Sequence, residues 1–193
     1  STFVGIMAEL GVEKVRLTGG EPLLRKGIVD LVGWIAQTPG IKQVAMTTNG
    51  YGLTKMAQSL WDAGLRSLNV SLDSFDPLRF SSATRGGDVE RVLKGLRAAR
   101  DVGFEDIRIN CVAIRGLNHT EHSEFVRRCW DEGWLPRFIE LMPIGGLDEQ
   151  GLGQRISSEE MIAALKSVYD LAEIEKGKGL SGPARYLRVQ SGP

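Results

Sequence analysis

The sequence predicts an α/β fold organised on a parallel β-sheet. Apolar residues alternate with polar ones in five short runs between Glu13 and Leu141, and amphipathic stretches of roughly ten to fifteen residues separate those runs. Glycines at positions 11, 64, 103 and 133 stand where a helix must give way to the next strand. Strand and helix in that alternation argue right-handed crossovers between parallel neighbours. Two architectures satisfy the pattern, an open doubly wound sheet and a section of (βα) barrel, and both place ligands at the carboxyl ends of the strands.

Each element has its own signal. Phe3, Ile6, Met7 and Leu10 recur at helical spacing before Gly11. A strand over 13–18 follows, in which Val15 and Leu17 alternate with Arg16 and Thr18, and it stops at Gly19-Gly20-Glu21-Pro22. Ile28, Leu31, Val32 and Ile35 mark one face of a helix over 27–37, and residues 42–47 read as the second strand, ahead of the turn Thr48-Asn49-Gly50. Thr54 is placed to cap the next helix, with Met56, Leu60 and Leu65 recurring along it, and a strand over 67–72 closes on Ser71-Leu72-Asp73-Ser74. Residues 76–87 read as a polar connection, followed by a helix over 89–102 with Val92, Leu93, Leu96 and Ala99 inward. The run 106–114 alternates Ile107, Ile109, Cys111 and Ala113 with Arg108, Asn110 and Val112, a half-buried strand. Asn118 or Thr120 can cap a helix over 121–132 with a charged outer face, and 137–141 gives the fifth strand, ending at Met142-Pro143. A glycine-rich loop over 144–153 precedes Ser157-Ser158-Glu159-Glu160, a strong helix start for 161–169, and 171–189 reads as one or two short strands.

Composition narrows the function. At 193 residues the chain supports one sizeable domain but falls short of the about 250 typical of a complete eight-fold barrel. Its 24 basic and 24 acidic side chains cancel, so no global field recruits nucleic acid or an anionic membrane, and any anion must be caught by locally placed cations. No apolar run approaches the about 18 residues of a membrane span, and no targeting segment is visible, which makes a cytoplasmic setting the default expectation. Cys111 and Cys129, the two cysteines, are too few for a disulfide scaffold or a four-cysteine metal site. Neither a Gly-x-Gly-x-x-Gly turn nor a Walker-type lysine loop follows any strand.

The strand ends carry the chemistry. Gly19-Gly20 removes Cβ where backbone can approach a ligand, and an ionised Glu21 offers acceptors suited to an ammonium group. Thr47-Thr48-Asn49, Ser71 with Asp73, Asn110 or Arg115, and Glu140 with Met142 fall at the same end of the other strands. Singly, each is readable as a turn former or core filler; together they suggest one mouth. Arg16, Arg108 and Arg137 lie within strands, where a charge needs a polar lumen or a partner. They either converge on an anion such as phosphate or pair with Glu13, Asp106 and Glu140, and spacing leaves both open. His119 and His122 read as a solvated loop and helix start rather than a metal site.

Five stretches taken together resemble a radical S-adenosylmethionine enzyme: Arg16-Leu17-Thr18-Gly19-Gly20-Glu21-Pro22, Thr47-Thr48-Asn49-Gly50, Asn69-Val70-Ser71-Leu72-Asp73, Ile109-Asn110-Cys111-Val112 and Arg137-Phe138-Ile139-Glu140-Leu141-Met142-Pro143. More narrowly the chain resembles the molybdenum cofactor biosynthesis protein A family, the GTP 3′,8-cyclases, in one register from residue 1 to about residue 190. The resemblance implies an incomplete (βα) barrel, two four-iron four-sulfur clusters and S-adenosylmethionine as cofactor, GTP as substrate, and the first step of molybdopterin synthesis as the reaction. It places Gly20, Ser71 and Met142 against S-adenosylmethionine, Gly19 and Glu21 beside its amine, Arg16 and Thr47 at GTP, and Arg137 near the triphosphate. Arg108 stands where the family usually has lysine, which keeps the charge and changes the fork geometry.

Two features depart from the family pattern. The chain has no Cys-x-x-x-Cys-x-x-Cys near its start and no cysteine triplet after Val189, and the first barrel strand is missing. The expectation is therefore one partial barrel core over 1–193, truncated at both ends, with 144–193 leading toward an absent C-terminal region. Such a core ligates neither cluster, holds no catalytic residue of its own and is inactive alone, with GTP but neither nucleic acid nor membrane as partner and a homodimer as its assembly. Another radical S-adenosylmethionine enzyme, a cluster-free nucleotide-binding module and an inert fragment are the competing expectations.

Overall fold

The computed structural model describes residues 2–142, 154–174 and 184–192. Chain order and spatial order coincide in its main sheet. Strands β1 (Lys14–Leu17), β2 (Gln43–Thr48), β3 (Leu65–Ser71), β4 (Asp106–Ala113) and β5 (Leu135–Glu140) lie side by side, all parallel, in the order β1-β2-β3-β4-β5. That order decides between the two architectures left open by the sequence. A doubly wound sheet reverses direction so that helices land on both faces; right-handed crossovers that all step the same way put every helix on one face. The result is a section of (βα) barrel wall.

The helices on that one face are α2 (Ile28–Ala36), α3 (Leu53–Asp62), α5 (Val89–Asp101) and α6 (His122–Asp131), with α1 (Thr2–Glu9) ahead of β1 and α4 (Pro77–Thr84) between β3 and α5. Their apolar stripes meet the sheet residues of one parity: Val44, Met46, Leu68, Val70, Ile107 and Ile109 are buried against Val32, Leu60, Leu93 and Leu96. Strand β4 shows the sorting most cleanly, with Ile107, Ile109, Cys111 and Ala113 buried and Asp106, Arg108, Asn110 and Val112 half-buried. Helices α3 and α5 approach closely because Gly95 has no side chain; a Cβ there would sit 2.7 Å from the Gly50 carbonyl oxygen and 3.0 Å from the Leu53 Cβ.

Helix α7 (Ser158–Lys166) and an antiparallel pair, β6 (Asp170–Glu173) with β7 (Leu187–Ser191), cover the outer side of β5 and α6. Phe138 packs against the main core and against the two smaller clusters that α7 and the β6–β7 pair form. Tyr169 adds a hydroxyl bond to the Ser123 carbonyl at 3.0 Å. Ser157 caps α7 in a reciprocal box with Glu160, as the sequence signals. Glu140, at the end of β5, accepts from the Ser158 amide at 2.9 Å, the Ser158 hydroxyl at 2.5 Å and Arg155 Nη2 at 2.7 Å. Those donors hold its carboxyl well down, at about 2 against an ordinary 4.5.

Several expectations need correction. The stretch 76–87 is not a plain connection: α4 fills most of it, with Asp76 as N-cap accepting from the Leu78 and Arg79 amides and Pro77 at the first helical position. Thr54 does not cap α3, which starts at Leu53 after Gly52. Neither Asn118 nor Thr120 caps α6; Glu121 occupies that position without a side-chain bond, and Asn118 is drawn to the strand ends instead. Strand β5 begins at Leu135, because Pro136, which reads as a breaker, is tolerated on an edge strand. Phe3, Ile6 and Leu10 do lie in or beside a helix, but as an exposed stripe. His122 is buried, only 4% exposed, with its ring 4.8 Å from Phe138, so the solvated reading fails for it and holds for His119. The predicted glycine-rich loop over 144–153 lies outside the described residues.

Two measurements check this packing. Gly95→Ala, which helix propensity alone would favour by about 1 kcal/mol, destabilises the fold by about 1–3 kcal/mol in urea unfolding, because the new methyl meets backbone rather than a movable side chain. For Glu140 the folded value lies below the unfolded one, so its contribution is complete above about pH 4.5 and is lost as pH falls toward about 2. Glu140→Gln therefore melts below the parent at neutral pH, and the two melting curves draw together as pH is lowered through that window.

Candidate active site

The sheet has a second face, and the strand register states its composition. Across the strands the rows run Arg16, Ala45, Ser67, Asp106, then Thr47, Asn69, Arg108, Leu135, then Ser71, Asn110, Arg137. The intervening rows, such as Leu17, Met46, Leu68, Ile107, face the helices. One face of the wall is thus apolar and covered by helices, and the other is polar.

Side chains from the first, third and fifth strands meet over this polar face. With the Asn69 amide oriented to suit its neighbours, its oxygen accepts from a terminal nitrogen of Arg16 and from Arg137 Nη1, the latter at 3.3 Å. Arg108 is ion-paired through Nε with Asp106 Oδ1 at 2.9 Å, although the N–H is not aligned as a hydrogen bond. Burial, then Arg108 and Arg137, push the Arg16 guanidinium down from its ordinary value, and burial, then Arg108 and Arg16, do the same to the Lys14 ammonium. Four cations thus sense one another. Of the acids weighed as competing partners, Glu13 pairs with Lys42 at 2.5 Å and Glu140 with Arg155; only Asp106 meets one of the three arginines. Three polar atoms on this face, Ser67 Oγ, Asn110 Oδ1 and Arg108 Nε, are buried without a hydrogen-bond partner among the described residues. Such atoms are costly unless a ligand or water completes them.

The strand ends border the same face. Gly19, in a positive-φ conformation of 145°, and Gly20 stand in open space, and a Cβ on either would meet nothing within 4 Å. Glu21 is first a clasp between strand ends: its carboxylate accepts from the Leu23 amide at 3.0 Å, Thr48 Oγ1 at 2.6 Å and the Asn49 amide at 2.7 Å. Of the roughly four acceptor sites on a carboxylate, one remains for a ligand amine. Asp73, at the end of β3, accepts from the Val112 amide at 2.8 Å; burial pushes its carboxyl up and that bond opposes it. Ser71 is exposed, Thr47 half-buried, and Met142, two residues beyond β5, is 59% exposed, unlike a core filler.

Arg16, Thr47, Ser71, Arg108 and Arg137 therefore lie on the polar face, and Gly19, Gly20, Glu21 and Met142 at the carboxyl edge of the wall. Lys14, Ser67 and Asn69 were missed. Lys14 carries the i, i+2 signal that would have joined it to Arg16 on one face of β1; Ser67 and Asn69 need the inter-strand register. The open glycines, the spare acceptor on Glu21 and the accessible Ser71 and Met142 fit a cofactor that carries an amine and an adenosyl group. An iron–sulfur cluster is not fitted by the thiols present: Cys111 and Cys129 are buried in the helix-facing core, and burial pushes both pKa values up. No group of three His, Cys, Asp or Glu side chains among the described residues could hold a metal ion.

The chain is similar in sequence and in fold to known proteins. The GTP 3′,8-cyclase of Pseudomonas putida (strain W619) is 48% identical over 181 residues, which are 93% of this chain and 54% of that protein. The GTP 3′,8-cyclase of Alkaliphilus oremlandii (strain OhILAs) is 42% identical over 183 residues, 95% of this chain and 56% of that one. The chain thus spans about half the length of the curated relatives it matches. Among solved structures, a domain of the pyruvate-formate lyase-activating enzyme of Bacteroides vulgatus superposes with a TM-score of 0.59 at 22% identity, over 79% of this chain and 92% of that one. Coproporphyrinogen III oxidase of Escherichia coli gives 0.60 at 14% identity, over 85% and 42%. At such identities these two attest to the fold alone. The Radical SAM superfamily model matches residues 3–129, about two-thirds of the sequence, and on that match the chain belongs to the radical SAM superfamily.

Proposed function

We propose that the protein of which this chain forms the core is a GTP 3′,8-cyclase, using S-adenosylmethionine to rearrange GTP into (8S)-3′,8-cyclo-7,8-dihydroguanosine 5′-triphosphate, the first step of molybdenum cofactor synthesis. The observation that carries this reading is the gathering of Lys14, Arg16, Arg108 and Arg137 on one polar face in a chain 42–48% identical to GTP 3′,8-cyclases. A neutral protein catches a triphosphate only with cations placed locally, and guanidinium forks suit phosphate oxygens.

Under this reading each residue has a defined task. Gly19 and Gly20 let the backbone come within hydrogen-bonding reach of the cofactor's amino-acid part, and Glu21 offers its remaining acceptor to the amine. Ser71 bonds to the ribose, and Met142 covers the adenosyl group from the end of β5. Arg16, Arg137, Lys14 and Arg108 hold the triphosphate, with Asn69 fixing two of the guanidinium groups, and Thr47 steadies the nucleoside. S-adenosylmethionine, when bound, supplies the carbon radical that takes a ribose hydrogen. We assign the cluster thiolates to chain outside these residues, since Cys111 and Cys129 face the core. A cytoplasmic reaction accords with substrate and cofactor; among the described residues no helix is long and apolar enough to cross a membrane.

The intact protein, reconstituted anaerobically and given GTP with S-adenosylmethionine, consumes both and yields a cyclised nucleotide triphosphate by chromatography and mass analysis. Consumption of S-adenosylmethionine with GTP untouched would assign the site to another substrate. In equilibrium binding, Arg16→Ala and Arg137→Ala each raise the Kd for GTP about tenfold, the scale of a charge-assisted contact, and leave the Kd for S-adenosylmethionine within about twofold. Unaltered GTP affinity in both variants would refute the phosphate assignment.

A further inference from the structure

One carboxylate sits among the four cations of the polar face. Asp106 opens β4 and shares its face with Arg108, two residues on, while Ser67 lies across from it on β3. A carboxylate beside an oxyanion site opposes the ligand through a field that salt screens only over about 8–10 Å. Its placement therefore calls for an offsetting role. The geometry supplies one: Asp106 Oδ1 forms an ion pair with Arg108 on its Nε side, 2.9 Å away though not aligned as a hydrogen bond, with the two side chains only 31% and 21% exposed. The Nη1 and Nη2 amino groups of Arg108 donate no hydrogen bond among the described residues. Asp106 also opposes, by its charge, the lowering that burial and neighbouring guanidinium groups impose on Lys14 and Arg16.

We propose that Asp106 is a positioning residue for the nucleotide, holding the Arg108 guanidinium by its Nε edge so that the Nη1–Nη2 edge is presented as a fixed fork to one phosphate group of the triphosphate. This rests on the reading of the polar face as a triphosphate site. It accounts for an arginine serving where a lysine would reach: an ammonium is a point charge on a flexible stem with no fork to orient, and a carboxylate beside it only takes up its charge, whereas a guanidinium held on its Nε side keeps both terminal nitrogens free for bidentate contact. The pair also leaves the cluster of Lys14, Arg16, Arg108, Arg137 and Asp106 with a net charge of +3, enough to attract a polyanion while easing repulsion among the cations before it arrives.

The test is a double-mutant cycle on the intact protein, read as the Kd for GTP, and for inorganic tripolyphosphate, at low and high salt. Asp106→Asn keeps volume and removes the charge. It weakens GTP and tripolyphosphate binding about fivefold at low salt, the scale of a half-exposed ion pair, although a simple loss of negative charge would strengthen both. In an Arg108→Lys background the same change loses that effect or tightens binding, since there is no fork left to position. The Kd for S-adenosylmethionine and the melting temperature stay with the parent, which a folding defect would not allow. Tighter or unchanged GTP binding in Asp106→Asn, or an equal effect in both backgrounds, overturns the positioning role. If Arg16→Ala and Arg137→Ala also leave GTP affinity unchanged, the triphosphate reading itself has failed; if they weaken it and Asp106→Asn does not, the positioning role alone has.

Discussion

The two-residue period of a β-strand, imposed on five parallel strands with helices on one face only, is the constraint from which the rest follows. Each strand must send one parity of side chain into the helix-packed core and the other to the uncovered face. Residues such as Met46, Leu68 and Ile109 are held in place by the core, and their backbone neighbours Thr47, Asn69 and Arg108 are then fixed on the opposite side without spending any interaction of their own. Core packing thus sets the site's geometry. A slip of one residue in any strand would put an arginine into the core and an isoleucine into the site, so register and binding are specified by the same energy.

Charge at the carboxyl edge of the wall is arranged in one sense. Three acids stand there, and backbone or side-chain donors engage each of them: Glu21 ties β1 to β2, Asp73 ties β3 to β4 through the Val112 amide, and Glu140 ties β5 to α7. Asn118 reinforces the second tie, donating to the carbonyls of Asp73 and Val112 and accepting from the Ile114 amide. Donors compensate most of the charge on Glu21 and Glu140 and fix the loops that carry them, whereas Asp73 has the single Val112 amide and burial still pushes its carboxyl up. The polar face is in the opposite condition: burial and the charges of Arg108 and Arg137 disfavour the charged form of Arg16, and among the described residues only Arg108 of the three arginines has a carboxylate partner. The edge is thus tied by its acids, while the polar face carries an excess of positive charge.

Much of this was legible in the sequence because it depends on local pattern. Alternation in 106–114 gave β4 and its two faces, and the glycines gave the helix ends. Choice between the two architectures required strand order, which no single strand encodes. Helix α4 escaped because only Phe80 in it is buried, so apolar periodicity was absent even though Asp76-Pro77 carries a sound capping signal. Asn118 was misassigned because its capping chemistry and its actual bonds to strand ends use the same amide. His122 was misjudged because a charged helix face hides a buried neighbour one position over. Lys14, Ser67 and Asn69 belong to the site only by their register with other strands.

The relation between stability and binding in this wall is then a trade rather than a coincidence. Ser67 Oγ and Asn110 Oδ1 are buried and unpartnered on the polar face, where apolar side chains of similar volume would cost the fold nothing. Each such atom is destabilising by about 1–3 kcal/mol when nothing completes it, an appreciable share of the roughly 5–15 kcal/mol that separates folded from unfolded chains. Water or a ligand must complete them, and a ligand that does so binds the folded state alone and returns that stability by mass action. The helix-facing side is mostly apolar, with Leu53, Leu60, Leu65, Leu68, Leu96 and Ile109 fully enclosed, but it too carries unpartnered buried atoms, His122 Nε2 and Trp134 Nε1. The deficits that a ligand could reach are those of the polar face, Ser67 and Asn110, because the other two lie in the helix-packed core.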